Sequence, residues 1–407
     1  MKPLDGVKVL DLTRHMAGPY ATQMLSDFGA DVIKVESVPH GDPVRRTGTA
    51  FSGDESALFL IWNRGKRSLA IDMRSPSGCQ AVRRLAESAD ILIENYRPGV
   101  ADKIGLGYDS LKTANPGLIY IALSAFGSNG PWSEDPGTDP VVQAMSGVMS
   151  VTGESDGGPL LIGVPIADYA GAMTAAQAAM LGLIARGRTG TGQRIEISML
   201  EALISALTTR LASWWYGEEE PMRHGAEHSV VAPYQAFRTA DGWAVAGVWG
   251  SGDAWPRFCE AIDRPDLVEH PTFADNQLRV ANRQHLNEIL EPIFATRATA
   301  EWRDRFHDAK ALFGPVHSVS EAVSQDQIRH REFVTSVEHP TLGDIPQLQP
   351  AITLSDTPGG IAAPPPLLGQ HSLEVLTELG YSEAEIDQML ADGVVLTPEA
   401  IKVRSAA

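Results

Sequence analysis

The chain has 407 residues, 43% of them hydrophobic and 21% charged, and carries a net charge of −18. That length points to two domains, and the composition excludes a disordered or fibrous chain. The acidity excludes nucleic acid and an anionic membrane surface as partners, because phosphate binding needs a basic footprint.

The first half alternates short apolar runs with amphipathic stretches in the manner of an α/β fold. GVKVLDL (6–12) reads as a strand, 19–30 as a helix and DVIKVE (31–36) as a second strand. A helix over 75–89, a strand over 90–96, a short helix near 108–114 and a strand over 118–126 continue the pattern. The expected architecture is a Rossmann-like parallel sheet, which binds ligands beyond the carboxyl ends of its strands. Loops 13–18, 36–46 and 95–99 would then surround one crevice. The loop after the first strand is TRHMAGP, with a single glycine, so a dinucleotide fingerprint is absent. Glu36 stands where nicotinamide enzymes hold a ribose, but without those glycines the coincidence carries no weight.

Residues 1–112 hold 15 Lys and Arg against 14 Asp and Glu, leaving 18 against 37 downstream. Arg45, Arg46, Arg64, Lys66, Arg67, Arg74, Arg97 and Lys103 accumulate in this first part. They read either as a solvated basic face or as a site for a small, strongly anionic ligand. The apolar run at 170–185 contains Thr174 and Gln177 and is shorter than the roughly 20 residues that span a bilayer, so it reads as a buried helix. Asp168 lies at the mouth of that helix, where free N–H groups and the macrodipole favour its ionised form. A helix cap and a nucleophile both need that form, so the segment alone leaves both open.

After about residue 225 the texture changes: 233–249 reads as a hairpin turning at Ala240, Asp241 and Gly242, followed by helices near 251–262, 281–295 and 299–309. From about 330 the chain reads as irregular and proline-rich, until a turn at Gly369 precedes two closing helices, the second capped by Ser382. Cys79 and Cys259 are too few for a disulfide framework, no leader pattern opens the chain, and the histidines show no metal spacing. A cytoplasmic protein with no bound metal is expected.

Several long segments, in register over nearly the whole chain, carry a resemblance. They are PLDGVKVLDLTRHMAGPYATQMLSDFGADVIKVE with GDPVR, NRGKRSLAIDMRSPSG, ADILIENYRPGVADKIGLGYDSL, NPGLIYIALSAFGSNGP, the Asp168 segment with RTGTGQRIEISM, and LGQHSLEVLTELGYSEAEI. With these the chain resembles the family III coenzyme A transferases. The resemblance implies a large Rossmann-like domain from 1–200 and 325–407, a linker over 201–229, a small α+β domain over 230–324, and a homodimer of interlocked rings. It implies acyl-CoA and a small carboxylic acid as substrates, with no permanently bound cofactor, and Asp168 as the nucleophile. By position, the CoA pocket would include Met16, Ala17, Met73, Arg74, Asn95, Tyr96, Arg97 and Lys103. Met16 and Ser37 replace a glutamine and an arginine of the formyl-CoA transferases.

The α-methylacyl-CoA racemases are similar, but they place a histidine in a GHD motif where this chain has Thr138 beside Asp139, and threonine shuttles no proton near neutrality. Where formyl-CoA transferases carry a glycine-rich loop, this chain has HSVVAPYQAF, which favours a larger acid such as succinate or another dicarboxylate. Thr138, Asp139 and His228, with Arg223 and His224, are the candidates for its binding. A CoA-binding protein without catalysis is the remaining alternative.

Overall fold

The computed structural model describes residues 1–250 and 252–401, and they form two compact units. The first comprises Met1–Val148, Ile162–Thr209 and the chain from Arg329 onward. Among the described residues its core is a seven-stranded sheet in the order Val395–Leu396, Lys66–Ile71, Asp31–Glu36, Lys8–Asp11, Ile91–Glu94, Ile119–Ser124, Arg194–Ser198. All neighbours are parallel except the pair made by Val395–Leu396. Val9 pairs with Val32 on one side and Ile91 on the other. The chain thus runs outward from the first strand through the second and third, then returns to the first strand's other flank, which creates a topological switch point there.

Both faces of the sheet are covered, so its central strands are largely apolar, as Ile91, Leu92 and Ile93 illustrate with 0% exposure each. On one face Leu10, Leu12, Leu69, Leu92 and Tyr120 pack with Ala81, Val82 and Leu85 of the helix Pro76–Ser88 and with Val375 and Leu376 of Ser372–Glu378. On the other, the helix Ala17–Asp27 lies against the long helix Ile166–Thr189. Small residues permit that approach. A Cβ on Gly171 would sit 3.0 Å from Met199 Cγ and 3.8 Å from Ala17 Cβ, and one on Gly182 would meet Ile119 Cγ2 at 2.6 Å.

The alternation expected between residues 6 and 126 is present, with additions: the hairpin of Phe51–Ser52 and Glu55–Ser56, the helices Ala57–Trp62 and Val100–Lys103, and a strand of the main sheet. Lys66–Ile71 is a strand although its first two residues are cations, because Lys66 is paired internally and Arg67 ties the strand to Asp31. The stretch expected to be irregular after residue 330 contains an antiparallel ribbon, Val334–His339 with Gly343–Leu348. Pro346 is tolerated there because a two-stranded ribbon has only edge strands. Ser382 caps the helix Glu383–Ala391 through a reciprocal bond with Glu385, as read from the sequence.

The second unit comprises Met149–Leu161 and Arg210–Ile328. Its antiparallel sheet runs Leu312–Pro315, Trp243–Gly247, Tyr234–Arg238, with the hairpin closed by Thr239 N donating to Gly242 O at 3.0 Å. Phe237, Trp255, Phe258, Phe294, Trp302 and Phe306 fill its core. The division departs from the expected boundaries. Residues 149–161 belong with this unit because Arg223 donates to Glu154 O and Gly157 O and Gly225 N donates to Gly153 O, while the expected 201–229 linker divides at Thr209.

Candidate active site

The loop after the first strand is held at nearly every backbone group. Asp11 Oδ1 accepts from Thr13 N at 2.8 Å, and Lys34 Nζ donates to Thr13 O at 2.8 Å. The Asn95 side chain, from the neighbouring strand's end, accepts from Arg14 N at 2.9 Å and donates to Arg14 O at 2.8 Å. Asp42 Oδ1 accepts from His15 N at 3.1 Å, with His15 in the left-handed region at φ 66°. Gly18 is required, since a Cβ there would overlap Thr13 Cβ at 2.3 Å. Asn95 therefore joins the loops on the two sides of the switch point.

Much of the basic cluster read from the sequence is spent inside the protein. Arg45 forks onto Glu36 at 2.8 and 2.9 Å, Arg64 onto Asp27 at 3.0 and 2.7 Å, and Lys66 pairs with Asp11 at 3.0 Å. Arg67 bridges Asp31, Glu374 and Glu378. Burial acts to raise the Asp11 and Glu36 carboxyls, but Lys66 and Lys34 beside the first, and Arg45 beside the second, outweigh it; Asp11 is held far below the carboxylate range and Glu36 is lowered to about 2. Burial lowers the Lys66 ammonium to about 8, in spite of Asp11. Glu36 is thus an anchor for Arg45, Ser68 and the Asp42 N–H, not a ribose ligand.

Asp168 is the third residue of the helix Ile166–Thr189, not its cap. The capping is done by Asp139, whose Oδ1 accepts from Ala167 N at 2.7 Å and Asp168 N at 3.2 Å. Asp139 Oδ2 accepts from Gln143 Nε2 at 2.7 Å, and Gln143 Oε1 accepts from Ile162 N at 2.9 Å. Among the described residues nothing donates to the half-buried Asp168 carboxylate, and burial, then the Asp139 charge, push it up to about 6. This is the arrangement of a reactive group: desolvated, unpaired, and fixed on a helix whose own end is satisfied by another residue. The cap is thus Asp139, and the Asp168 carboxylate is left free of that task.

Of the expected pocket residues, the structure brings together Met16, Ala17, Asn95 and Tyr96. Met16 and Ala17 are buried at the start of the helix that packs on Gly171, one turn from Asp168. Tyr96 lies under the Arg14 guanidinium at 5.2 Å. Arg97 and Lys103 follow, exposed. Met73 packs on the same apolar cluster as Tyr96, whereas Arg74 is 84% exposed and forks onto Asp72 at 2.9 and 3.0 Å. Thr138 is exposed at the start of the helix Asp139–Met145. Asp139, expected as a substrate ligand, has both oxygens engaged inside the protein and reaches the site only through the helix it caps. In the second unit His228 stacks on Tyr234 at 5.3 Å and meets the edge of Trp249. Burial, with Arg210 and Arg283, holds its imidazole below the ordinary value, so at neutral pH it offers a neutral ring. The sequence reading missed Arg14, Asp42 and Gln143, although Arg14 lies in the quoted TRHMAGP and Asp42 in GDPVR.

Comparison with known proteins adds to this geometry. Residues 4–372 match the family model described as CoA-transferase family III. The chain is 40% identical over 396 residues, 97% of its own length and 91% of the relative's, to succinyl-CoA:glutarate CoA-transferase of Mus musculus. It is 36% identical over 388 residues, 93% of this chain and 96% of the relative, to succinate–glutarate CoA-transferase of Agrobacterium fabrum. A crystal structure of a CAIB/BAIF family protein from Brucella suis superimposes with a TM-score of 0.84 at 35% identity, covering 93% of this chain and 99% of that one.

Proposed function

The chain belongs to CoA-transferase family III, and on that premise we propose that it moves coenzyme A between two carboxylic acids through covalent intermediates on Asp168. An Asp168 oxygen attacks the thioester carbonyl of the donor, the C–S bond breaks, and CoA thiolate leaves a mixed anhydride. The thiolate attacks the aspartyl carbonyl and expels the donor acid, which leaves an aspartyl-CoA thioester. The acceptor carboxylate attacks that thioester and expels thiolate, and the thiolate then takes the acyl group and restores the Asp168 carboxylate. Each step exchanges one activated acyl bond for another, so no oxidant or metal is consumed.

The observation that carries this reading is the division of labour between Asp139 and Asp168, which leaves the second carboxylate unpaired on a capped helix. With its pKa near 6, Asp168 is about 90% ionised at pH 7, and partial desolvation makes it a better nucleophile than a carboxylate in water. The relatives named for succinyl and glutaryl transfer support a dicarboxylic donor and acceptor, with succinyl-CoA and glutarate as the first pair to test. CoA itself would lie over the Arg14–Tyr96 side of the switch point, with Arg97 and Lys103 toward its phosphates. An interlocked homodimer and a cytoplasmic location belong to the same reading; among the described residues no helix is long and apolar enough to cross a membrane.

Incubation with succinyl-CoA followed by borohydride or hydroxylamine should change the mass of the peptide carrying Asp168. Asp168→Ala should abolish transfer and leave CoA affinity within about threefold. Turnover retained by that variant would refute the assignment.

A further inference from the structure

Glu94 is the last residue of its strand and is 7% exposed, yet no cation pairs with it among the described ion pairs. Its Oε2 accepts from Tyr96 N at 2.7 Å, and its Oε1 accepts from the Tyr120 hydroxyl at 3.3 Å. It borders a cavity of about 30 Å³ whose titratable lining is Tyr96, Asp102, Tyr108, Asp109, Tyr120 and Arg194, with Arg194 the one cation among the described lining residues. The two residues it spans are those that build the switch point: Asn95 clasps both backbone groups of Arg14, and Tyr96 carries the Arg14 guanidinium on its ring.

We propose that Glu94 is a positioning residue: its ionised carboxylate fixes the turn 94–96 and so sets the affinity for CoA, which weakens when Glu94 takes up a proton. This rests on the reading that the loop from Asn95 lines the CoA site. A carboxylate accepts the Tyr96 N–H in a charge-assisted bond, and a carboxylic acid accepts it as a weaker neutral one. Burial raises the Glu94 carboxyl to about 7, which Arg194 and the two hydrogen bonds only moderate, so the change falls in the working range of pH.

The test compares wild type with Glu94→Gln and Tyr120→Phe by titration calorimetry with free CoA from pH 6 to pH 8.5, together with succinyl-CoA and glutarate turnover. The CoA 3′-phosphate titrates in part of this range, so the ratio of variant to wild-type Kd is what is read. For Glu94→Gln that ratio should be about three to ten at pH 8 and near one at pH 6, with kcat within about twofold. Tyr120→Phe removes a bond that favours the carboxylate and should move the wild-type inflection to higher pH. A Glu94→Gln ratio independent of pH would overturn the proposal. If that variant does not fold, an unmoved inflection in Tyr120→Phe would overturn it instead. Because the binding measurement needs no turnover, pH-dependent CoA binding without transfer would fault the functional reading and spare this one.

Discussion

Replacing Asp139 by asparagine tests the link between the helix cap and the reactive carboxylate. Asparagine keeps an oxygen for the N–H groups of Ala167 and Asp168, but its Nδ2 now faces Gln143 Nε2 across the 2.7 Å of the present bond. Gln143 cannot turn over without losing the bond from Ile162 N to its Oε1. One buried donor is left unsatisfied, at about 1–3 kcal/mol. Loss of the charge at the helix N-terminus adds about 0.3–1 kcal/mol. The rate should change in a different way. The acid limb of kcat against pH is expected near 6 in the wild type; without the Asp139 charge it should move to lower pH, and it should stay above 3.8 because burial is the larger cause. The double variant Asp139→Asn with Gln143→Glu restores a donor facing an acceptor and should recover most of the lost thermal stability. An acid limb that stays in place or moves upward in Asp139→Asn would refute the electrostatic argument. A double variant no more stable than the single one would refute the hydrogen-bond argument.

Asp168 itself should cost stability. Its pKa is raised in the folded state, so it favours folding below the unfolded value near 3.8 and loses that contribution as pH rises through about 6. Asp168→Asn should therefore melt at higher temperature than wild type at pH 8, by roughly 1–2 kcal/mol after allowance for solvent, and the gain should vanish by pH 4; a variant of unchanged stability at pH 8 would count against the desolvated carboxylate. Glu36 has the opposite sign. Its lowered pKa gives stability that is present above 4.5 and is lost as pH falls toward about 2. Glu36→Gln removes the bidentate partner of the buried Arg45 guanidinium and leaves it Glu55 and Pro366 O, which should cost about 3 kcal/mol by chemical denaturation at pH 7, and a cost under about 1 kcal/mol would show that Glu55 alone holds Arg45.

The alternation of apolar runs and amphipathic helices made the sheet legible as far as residue 126, because both signals are local. The strand Lys66–Ile71 was hidden by its leading cations, whose partners lie far off in sequence: Asp11 for Lys66, and Glu374 and Glu378 for Arg67. The same distance misdirected the reading of the basic cluster, since Arg64 and Asp27 are 37 residues apart and only the fold makes them a pair. Asp168 could be singled out only by the family pattern. Its local context fitted a cap equally well, and Asp139, the residue that takes the capping role, lies 28 residues before the N–H it satisfies.

The internal ion pairs also shape how this protein meets its substrate. Lys34, Arg45, Arg64 and Lys66 are each matched by a buried acid, so these four pairs cancel within the interior and nearly all of the net charge of −18 is carried by the remaining, mostly exposed groups. The net repulsion that opposes a ligand carrying phosphates then comes from residues 113–407, where 37 acids face 18 cations. In the CoA site proposed above, capture would fall to the few exposed cations of the crevice loops, Arg46, Arg97 and Lys103, acting within a Debye length of about 8 Å at physiological salt. Dissolved salt screens both that repulsion and those cations, so faster CoA association at higher salt would mark the repulsion as the larger effect and slower association the cations.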